Sequence, residues 1–408
     1  MLVASTVLTQ STVFLVRPTT TYKLLSFNAD GMTVGLIAGL YALFPLLLAM
    51  PIALRAQRTG TLIYLLVAGV ATLIIGAATI ALAPSTLWVG VGSAILGLGQ
   101  ITFVVSGQAA VGRFAEDPAL DTSFGWFTAG ISSGQMIGPL VGGLLIQERA
   151  GGGSTSAELR SVEQTLWVGA ALSMCVIVLL LFFRRSFRQE KNGLTDDSGN
   201  SDREDPVPAP QNEDPKPSAL KIIRIPRVKS HFFAAIVLVA TVEVLSAYLP
   251  LVGEEHGISP TWIGALLAMR AAASLVSRMT LPLMRRRFSR HHLLLVSLFV
   301  AGLGLSLAVA FINVLAFSVP MFIVAGFCMG VGVPLTMSVI AQTVPQQWRS
   351  SALALSLAGN RFGQLAIPLV AGTVTGVVGA GAAIWLSCAL LLSSGAEKLL
   401  RSRSTGPD

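Results

Sequence analysis

Apolar residues run through this chain in long blocks, broken by short polar stretches, with no alternation of the kind a half-buried strand would need. The blocks fall at about residues 2–25, 32–54, 62–83, 87–111, 125–146 and 166–183. After a polar gap they resume at about 232–251, 262–284, 293–312, 315–339, 352–374 and 380–392. Most are near the 17–25 residues that a helix needs to cross a bilayer, and the last is the shortest. The pattern predicts an all-α integral membrane protein with twelve spans. The first block has no basic region before it and no small-residue cleavage site after it, so it reads as a span and not as a signal peptide.

The interruption between the sixth and seventh blocks is different in kind. From Arg184 to Ser230 the chain is polar, carries Pro206, Pro208, Pro210, Pro215 and Pro217, and shows no apolar periodicity. Such a segment cannot bury enough surface to fold, and it reads as a linker. The expected organisation is a six-helix bundle over 1–185, a cytoplasmic linker over 186–230, a second bundle over 231–396 and a cytoplasmic tail over 397–408.

Composition agrees. Hydrophobic residues are 53% of the chain and charged ones 12%, against roughly 25% charged in soluble domains. The net charge of +8 comes from Lys and Arg gathered at one set of helix ends, which argues against a nucleic-acid partner. Arg55, Arg58, Arg113, the linker, Arg285 to Arg287, Arg290, Arg349 and Arg401 fall on one side; Asp30, Glu158, Glu163, Glu254 and Glu255 fall on the other. The positive-inside rule makes the first side cytoplasmic, with both termini there and the lipid bilayer of the plasma (inner) membrane as the surroundings. Cys175, Cys328 and Cys388 have no metal or redox spacing, and the four histidines lie near span ends. No metal, no cofactor and no enzyme activity are expected.

The fifth block holds the most specific pattern. Gly125, Gly134, Gly138, Pro139, Gly142 and Gly143 lie in a nearly uncharged run, with Gly134, Gly138 and Gly142 four apart on one helix face. Glycine destabilises a soluble helix by about 1 kcal/mol against alanine, but in a bilayer small residues admit a neighbouring backbone. The chain also repeats itself. GQMIGPLVGG at 134–143 matches GQLAIPLVAG at 363–372, Gly35 matches Gly264, Tyr41 lies opposite Arg270, and Arg58 matches Arg287. Arg17 and Tyr22 lie over Glu243 and Tyr248. Matches in parallel order imply two bundles related by an axis along the membrane normal.

This combination resembles the major facilitator superfamily over nearly the whole chain. The glycine spacing is similar to the fifth-helix motif of its drug/proton antiporters. The resemblance implies two pseudo-symmetric six-helix bundles, alternating access, and export rather than import. Two positions depart from it. The loop after the second span keeps Arg58 and Gly60 but has Gln57 where the family has Asp, and Ser93 stands where the fourth-helix motif has an embedded Arg. A proton mechanism built on that Arg does not carry over.

Embedded charges mark the candidate site, since each costs at least about 2.5–3.5 kcal/mol at mid-span. They are Arg17, Glu243, Arg270 and Arg361; Arg278, nearer a span end, reads as a snorkelling side chain. Asn360, Arg361 and Gln364 form one polar stripe, with Gln135 as the repeat partner of Gln364, and Tyr22, Tyr41 and Tyr248 could serve as cavity walls. Three arginines against one glutamate favour an anion, because the guanidinium fork matches carboxylate and phosphate. The sequence thus reads as a secondary transporter of a small organic solute, coupled to protons through Glu243. Its rivals are an organic-anion uptake symporter and a non-transporting receptor or scaffold with a transporter-like body.

Overall fold

The computed structural model describes residues 1–56, 62–114, 120–146, 155–182, 222, 225–345 and 348–404. Twelve long helices make up these residues: α1 (Leu2–Leu25), α2 (Gly31–Ala56), α3 (Leu62–Ala81), α4 (Thr86–Phe114), α5 (Leu120–Leu145), α6 (Thr155–Phe182), α7 (Pro226–Glu255), α8 (Pro260–Arg287), α9 (Arg290–Ala310), α10 (Leu315–Thr343), α11 (Arg349–Val378) and α12 (Gly381–Ser404). Three differ most from the sequence reading, the first being α6, which starts at Thr155, well before its apolar block from about 166. α7 starts at Pro226, a residue that fits the first helical turn because its missing N–H has no partner there anyway. α12 passes Leu392 and stays helical to Ser404, because helix formation needs no apolar side chains once Lys398 is buried and bonded to Ser230.

The halves repeat each other's packing. In the first, α3 lies on α4, α2 on α4, α1 on α5 and α6, and α3 on α6; in the second, α9 lies on α10, α8 on α10, α7 on α11 and α12, and α9 on α12. Even the turns correspond. Asn28 and Gly257 each take a left-handed backbone before a capped helix start, Asp30 accepting from Thr33 N and Ser259 from Trp262 N. These are the residue types that adopt such a conformation at little steric expense.

Eight helices are long and apolar enough to cross a membrane on composition alone; α1, α5, α8 and α11 are not. Those four carry the polar cargo: the Ser, Thr and Gln residues and Arg17 of α1, the Gly and Ser residues of α5, Arg270 and Arg278 of α8, and the Asn360–Gln364 stripe of α11. Burying such faces inside the protein spares them contact with lipid. The outward surface is apolar, with Ile75, Met174, Val178, Leu303 and Leu307 exposed.

The halves meet along two arms at one end of the molecule, the end with the α1–α2 and α7–α8 turns. On one arm α2 lies against α11: a methyl group at Gly35 would come within 2.5 Å of the Pro368 carbonyl and 3.1 Å of Gly372 Cα. On the other, α5 lies against α8: a methyl at Gly143 would meet the Pro260 carbonyl at 2.5 Å and Gly264 Cα at 3.0 Å. Only glycine permits backbones this close. Towards the opposite end Arg278 of α8 still reaches Ser132 of α5, while Met50, Leu54 and Leu357 are exposed and a methyl at Gly125 would meet nothing among the described residues.

Candidate functional site

Midway along the molecule a polar network joins the two halves. Arg17 of α1 forms an ion pair through Nη2 with Oε2 of Glu243 on α7, both side chains less than a tenth exposed. The other carboxylate oxygen of Glu243 accepts from Gln364 Nε2 at 3.1 Å, and Gln364 Oε1 accepts from Arg361 Nη1 at 2.9 Å. On its far side the Arg17 guanidinium lies 4.3 Å from the centroid of the Tyr41 ring, inside cation–π range. The Tyr41 hydroxyl donates to Gln100 Oε1, and Gln100 Nε2 donates to Gln10 Oε1 at 3.4 Å. Five helices of the two halves (α1, α2, α4, α7 and α11) therefore meet in one network around this carboxylate.

Local chemistry places these groups. Pro18 follows Arg17 inside α1 and removes one backbone donor there, and Pro368 does the same four residues after Gln364. Beside the ion pair lies a cavity of about 30 Å³, lined by Arg17, Thr20, Tyr41, Ser93 and Ser246 among others. It is large enough for a water molecule or two. Ser93, the residue at the fourth-helix arginine position, thus shares a cavity with Arg17. Arg17 Nη1 is buried with no hydrogen-bond partner among the described residues.

Not all of the sequence-derived residues join the network. Arg270 is buried in α8 with its Nε unpartnered, and Asn360 is buried with Oδ1 unpartnered. Gln135 is half-buried and makes no side-chain hydrogen bond among the described residues. Both matched tyrosines lie nearer the closed end. Tyr248 Oη is within hydrogen-bond reach of the Pro368 carbonyl (2.9 Å) and the Gly31 carbonyl (3.1 Å), while the buried Tyr22 Oη finds no partner. Arg278 does not snorkel: it turns inwards and donates from Nη1 to Ser132 Oγ of α5 at 2.9 Å, the hydroxyl giving its charge a polar partner inside the protein. In the glycine run, Gly134, Gly138 and Gly142 face α1, Gly143 faces α8, and a methyl at Gly125 would meet nothing among the described residues. Arg287 is exposed at the end of α8, and Arg58 and Gly60 lie outside the described residues.

Three groups were not singled out from the sequence. Gln10 and Gln100 complete the network, and the only hint of them is an amide in an otherwise apolar span. The third is an ion pair near the closed end: buried Lys23 of α1 binds Glu163 Oε1 of α6 at 2.6 Å and donates to the Ala81 carbonyl at the end of α3 at 3.3 Å. Glu163 reads as a loop acid in the sequence, because α6 begins earlier than its apolar block does.

Two like bundles around a buried, charged centre, in close backbone contact at one end, have the architecture of a secondary transporter. The profile of the Major Facilitator Superfamily matches residues 2–240 and again 231–404, so the chain belongs to that family and is a multi-pass membrane transporter and not an enzyme. Comparison with curated protein sequences gives no match. Among solved structures, the chain is similar to a POT family transporter in complex with a thioalcohol-conjugated peptide, at 13% identity and TM-score 0.73 over 99% of this chain and 95% of that one. It is also similar to a bacterial homologue of the human lysosomal transporter Spinster in an inward-facing, unoccupied conformation, at 17% identity and TM-score 0.70 over 99% and 96%. A D-xylose–proton symporter aligns at 14% identity and TM-score 0.70 over 97% and 95%. At these identities the likeness establishes the fold.

Proposed function

We propose that this transporter is a proton-coupled exporter of a small organic anion working by alternating access, with Arg17 and Glu243 as the coupling pair. The observation that supports it is the position of Glu243, whose two oxygens face Arg17 of one half and, through Gln364, Arg361 of the other. Protonating Glu243 removes the charge that holds Arg17. An anion arriving at Arg17 weakens the same attraction and so favours protonation. Substrate and carboxylate compete for one positive charge, which links the two fluxes. Under this reading, the loop charges support a closed end outside the cytoplasm and a cytoplasmic connector over 186–230, with the site facing inwards. The glycine pattern of α5 favours export, and the D-xylose–proton symporter is a proton-coupled carrier on the same fold.

The test uses reconstituted vesicles with an imposed pH gradient. Glu243→Gln should keep binding but lose proton-driven accumulation, and Arg17→Ala should lose affinity for the anion. Removing either partner of a buried pair destabilises by about 3–5 kcal/mol, so folded yield is measured alongside. Were the pair only structural, the double variant would recover yield that each single change loses. Wild-type pH dependence in Glu243→Gln would end the proposal.

A further inference from the structure

Four guanidiniums, those of Arg17, Arg270, Arg278 and Arg361, occupy the interior against the carboxylate of Glu243. Three of them have a partner: Arg17 has Glu243, Arg278 has Ser132 and Arg361 has Gln364. Arg270 differs. It is 4% exposed, its Nε is enclosed without an acceptor, and among the described residues no carboxylate lies within ion-pair distance of it. It lies two turns from Arg278 on the same helix, and Arg278 reaches Ser132 of the other half. Its backbone cannot easily withdraw. α10 packs so tightly on α8 at this point that a methyl group at Gly326 would lie 2.3 Å from the Arg270 carbonyl oxygen and 2.8 Å from its Cα.

A buried cation with no counter-charge is strongly destabilising. Lysine in its place could lose its proton, but arginine keeps its charge under all ordinary conditions. Such a group is stabilised only when something brings it negative charge. Arg17 already has its charge balanced by Glu243 and its face covered by Tyr41. Arg278 lies eight residues along α8, about 12 Å further from the closed end.

Building on the anion-export reading, we infer that Arg270 is the seat of the substrate's oxyanion group, a carboxylate, sulfonate or phosphate held on the guanidinium fork, and that Arg278 with Ser132 is a waiting point on the way to it. The order of charges then has a sense. The anion meets Arg278 at the interface of α5 and α8, moves two turns deeper to the uncompensated Arg270, and from there bears on the Arg17–Glu243 pair.

The test is binding to the purified full chain in detergent, followed through the thermal unfolding midpoint at constant ionic strength. The probes are sodium benzoate, benzenesulfonate and phenyl phosphate, with neutral benzamide and cationic benzylammonium as controls. At least one oxyanion should raise the wild-type midpoint where the controls do not. Arg270→Gln should raise its half-saturating concentration about tenfold or more, the loss of a charged hydrogen bond. Arg270→Lys, which keeps charge without the fork, should fall between, and Arg285→Gln on the exposed end of α8 should match wild type. Without any probe, Arg270→Met should unfold no earlier than wild type, since it removes an uncompensated charge. The inference is overturned if no oxyanion stabilises the wild type, if Arg270→Gln titrates like wild type, or if Arg270→Met unfolds much earlier. A normal titration by Arg270→Gln alongside loss of proton-driven accumulation in Glu243→Gln would move the seat elsewhere and leave the exporter reading standing.

Discussion

Asp30 stands just before the first turn of α2, exposed, with its carboxylate accepting from Thr33 N at 2.9 Å. Hydrogen bonds from the Thr33 hydroxyl and amide hold its carboxyl below the usual carboxylate range. A depressed folded-state value means that the cap contributes above about pH 4, the ordinary aspartate pKa, and is lost as pH falls through the lower folded value. Asp30→Ala should therefore reduce stability near pH 7 by about 1 kcal/mol, with the difference narrowing on acidification. Asp30→Asn should keep most of the cap and flatten the trend. Unfolding midpoints of the three proteins against pH decide it, and identical curves for Asp30→Ala and wild type would show the cap to be idle. Among single residues, Arg17 and Glu243 were legible because each is a charge in an apolar run and the two occupy matching places in the repeat. Lys23 and Glu163 were not: they meet from helices 140 residues apart, and Glu163 sits among other loop-like acids. Nor was the inward turn of Arg278, which depends on a hydroxyl of the other half.

At the scale of the helix, α5 shows what a pattern can and cannot disclose. Its glycine spacing announces a close neighbour but does not say which. The neighbour proves to be α1 along Gly134 and Gly138, where a methyl at Gly138 would lie 2.6 Å from the Ser11 carbonyl and 2.8 Å from Leu15 N. Gly138→Leu should push α1 and α5 apart, destabilise by about 1–3 kcal/mol or more and stall transport, while membrane insertion survives because leucine is favourable in lipid. Gly125→Leu, where a side chain meets open space, should be mild by comparison. Insertion assays, unfolding midpoints and vesicle transport on both variants check this, and equal behaviour of the two would remove the distinction. The same logic explains why α1, α5, α8 and α11 fall short on apolarity. Their lengths were readable from the sequence, but the reason for their polar residues, a shared interior, is a property of the assembled bundle.

For the molecule as a whole, the internal repeat made the architecture legible: the matched order of Gly35 and Gly264, and of Pro139 and Pro368, already implies two copies of one bundle. What it could not disclose was which end the bundles close at, because both ends of a pseudo-symmetric pair carry similar residues. The tyrosines show where that symmetry stops. Tyr248 of α7 reaches carbonyls of α2 and α11, whereas Tyr22 of α1, its repeat partner, is buried beside α5 and α8 and grips nothing. Tyr248→Phe should therefore lower stability by about 0.5–1.5 kcal/mol and, on the proposed coupling, loosen the tie between proton and substrate flux, and Tyr22→Phe should be neutral or mildly stabilising, since an unsatisfied buried hydroxyl is removed. Unfolding midpoints and the ratio of the two fluxes in vesicles test the pair, and matching behaviour of the two variants would refute the asymmetry.

Mechanically, that asymmetry makes one helix a lever. Glu243 and Tyr248 are five residues apart on α7, about 7.5 Å along a rigid rod, so a shift of the rod when the carboxylate changes partner is felt at once by the hydroxyl at its other grip. Arg17 and Tyr22 are spaced the same way on α1, but that rod ends in an empty hand. On the proposed coupling, a proton's arrival should thus tug first on the α2–α11 arm, and the closed end should unfasten from that flank before the other follows.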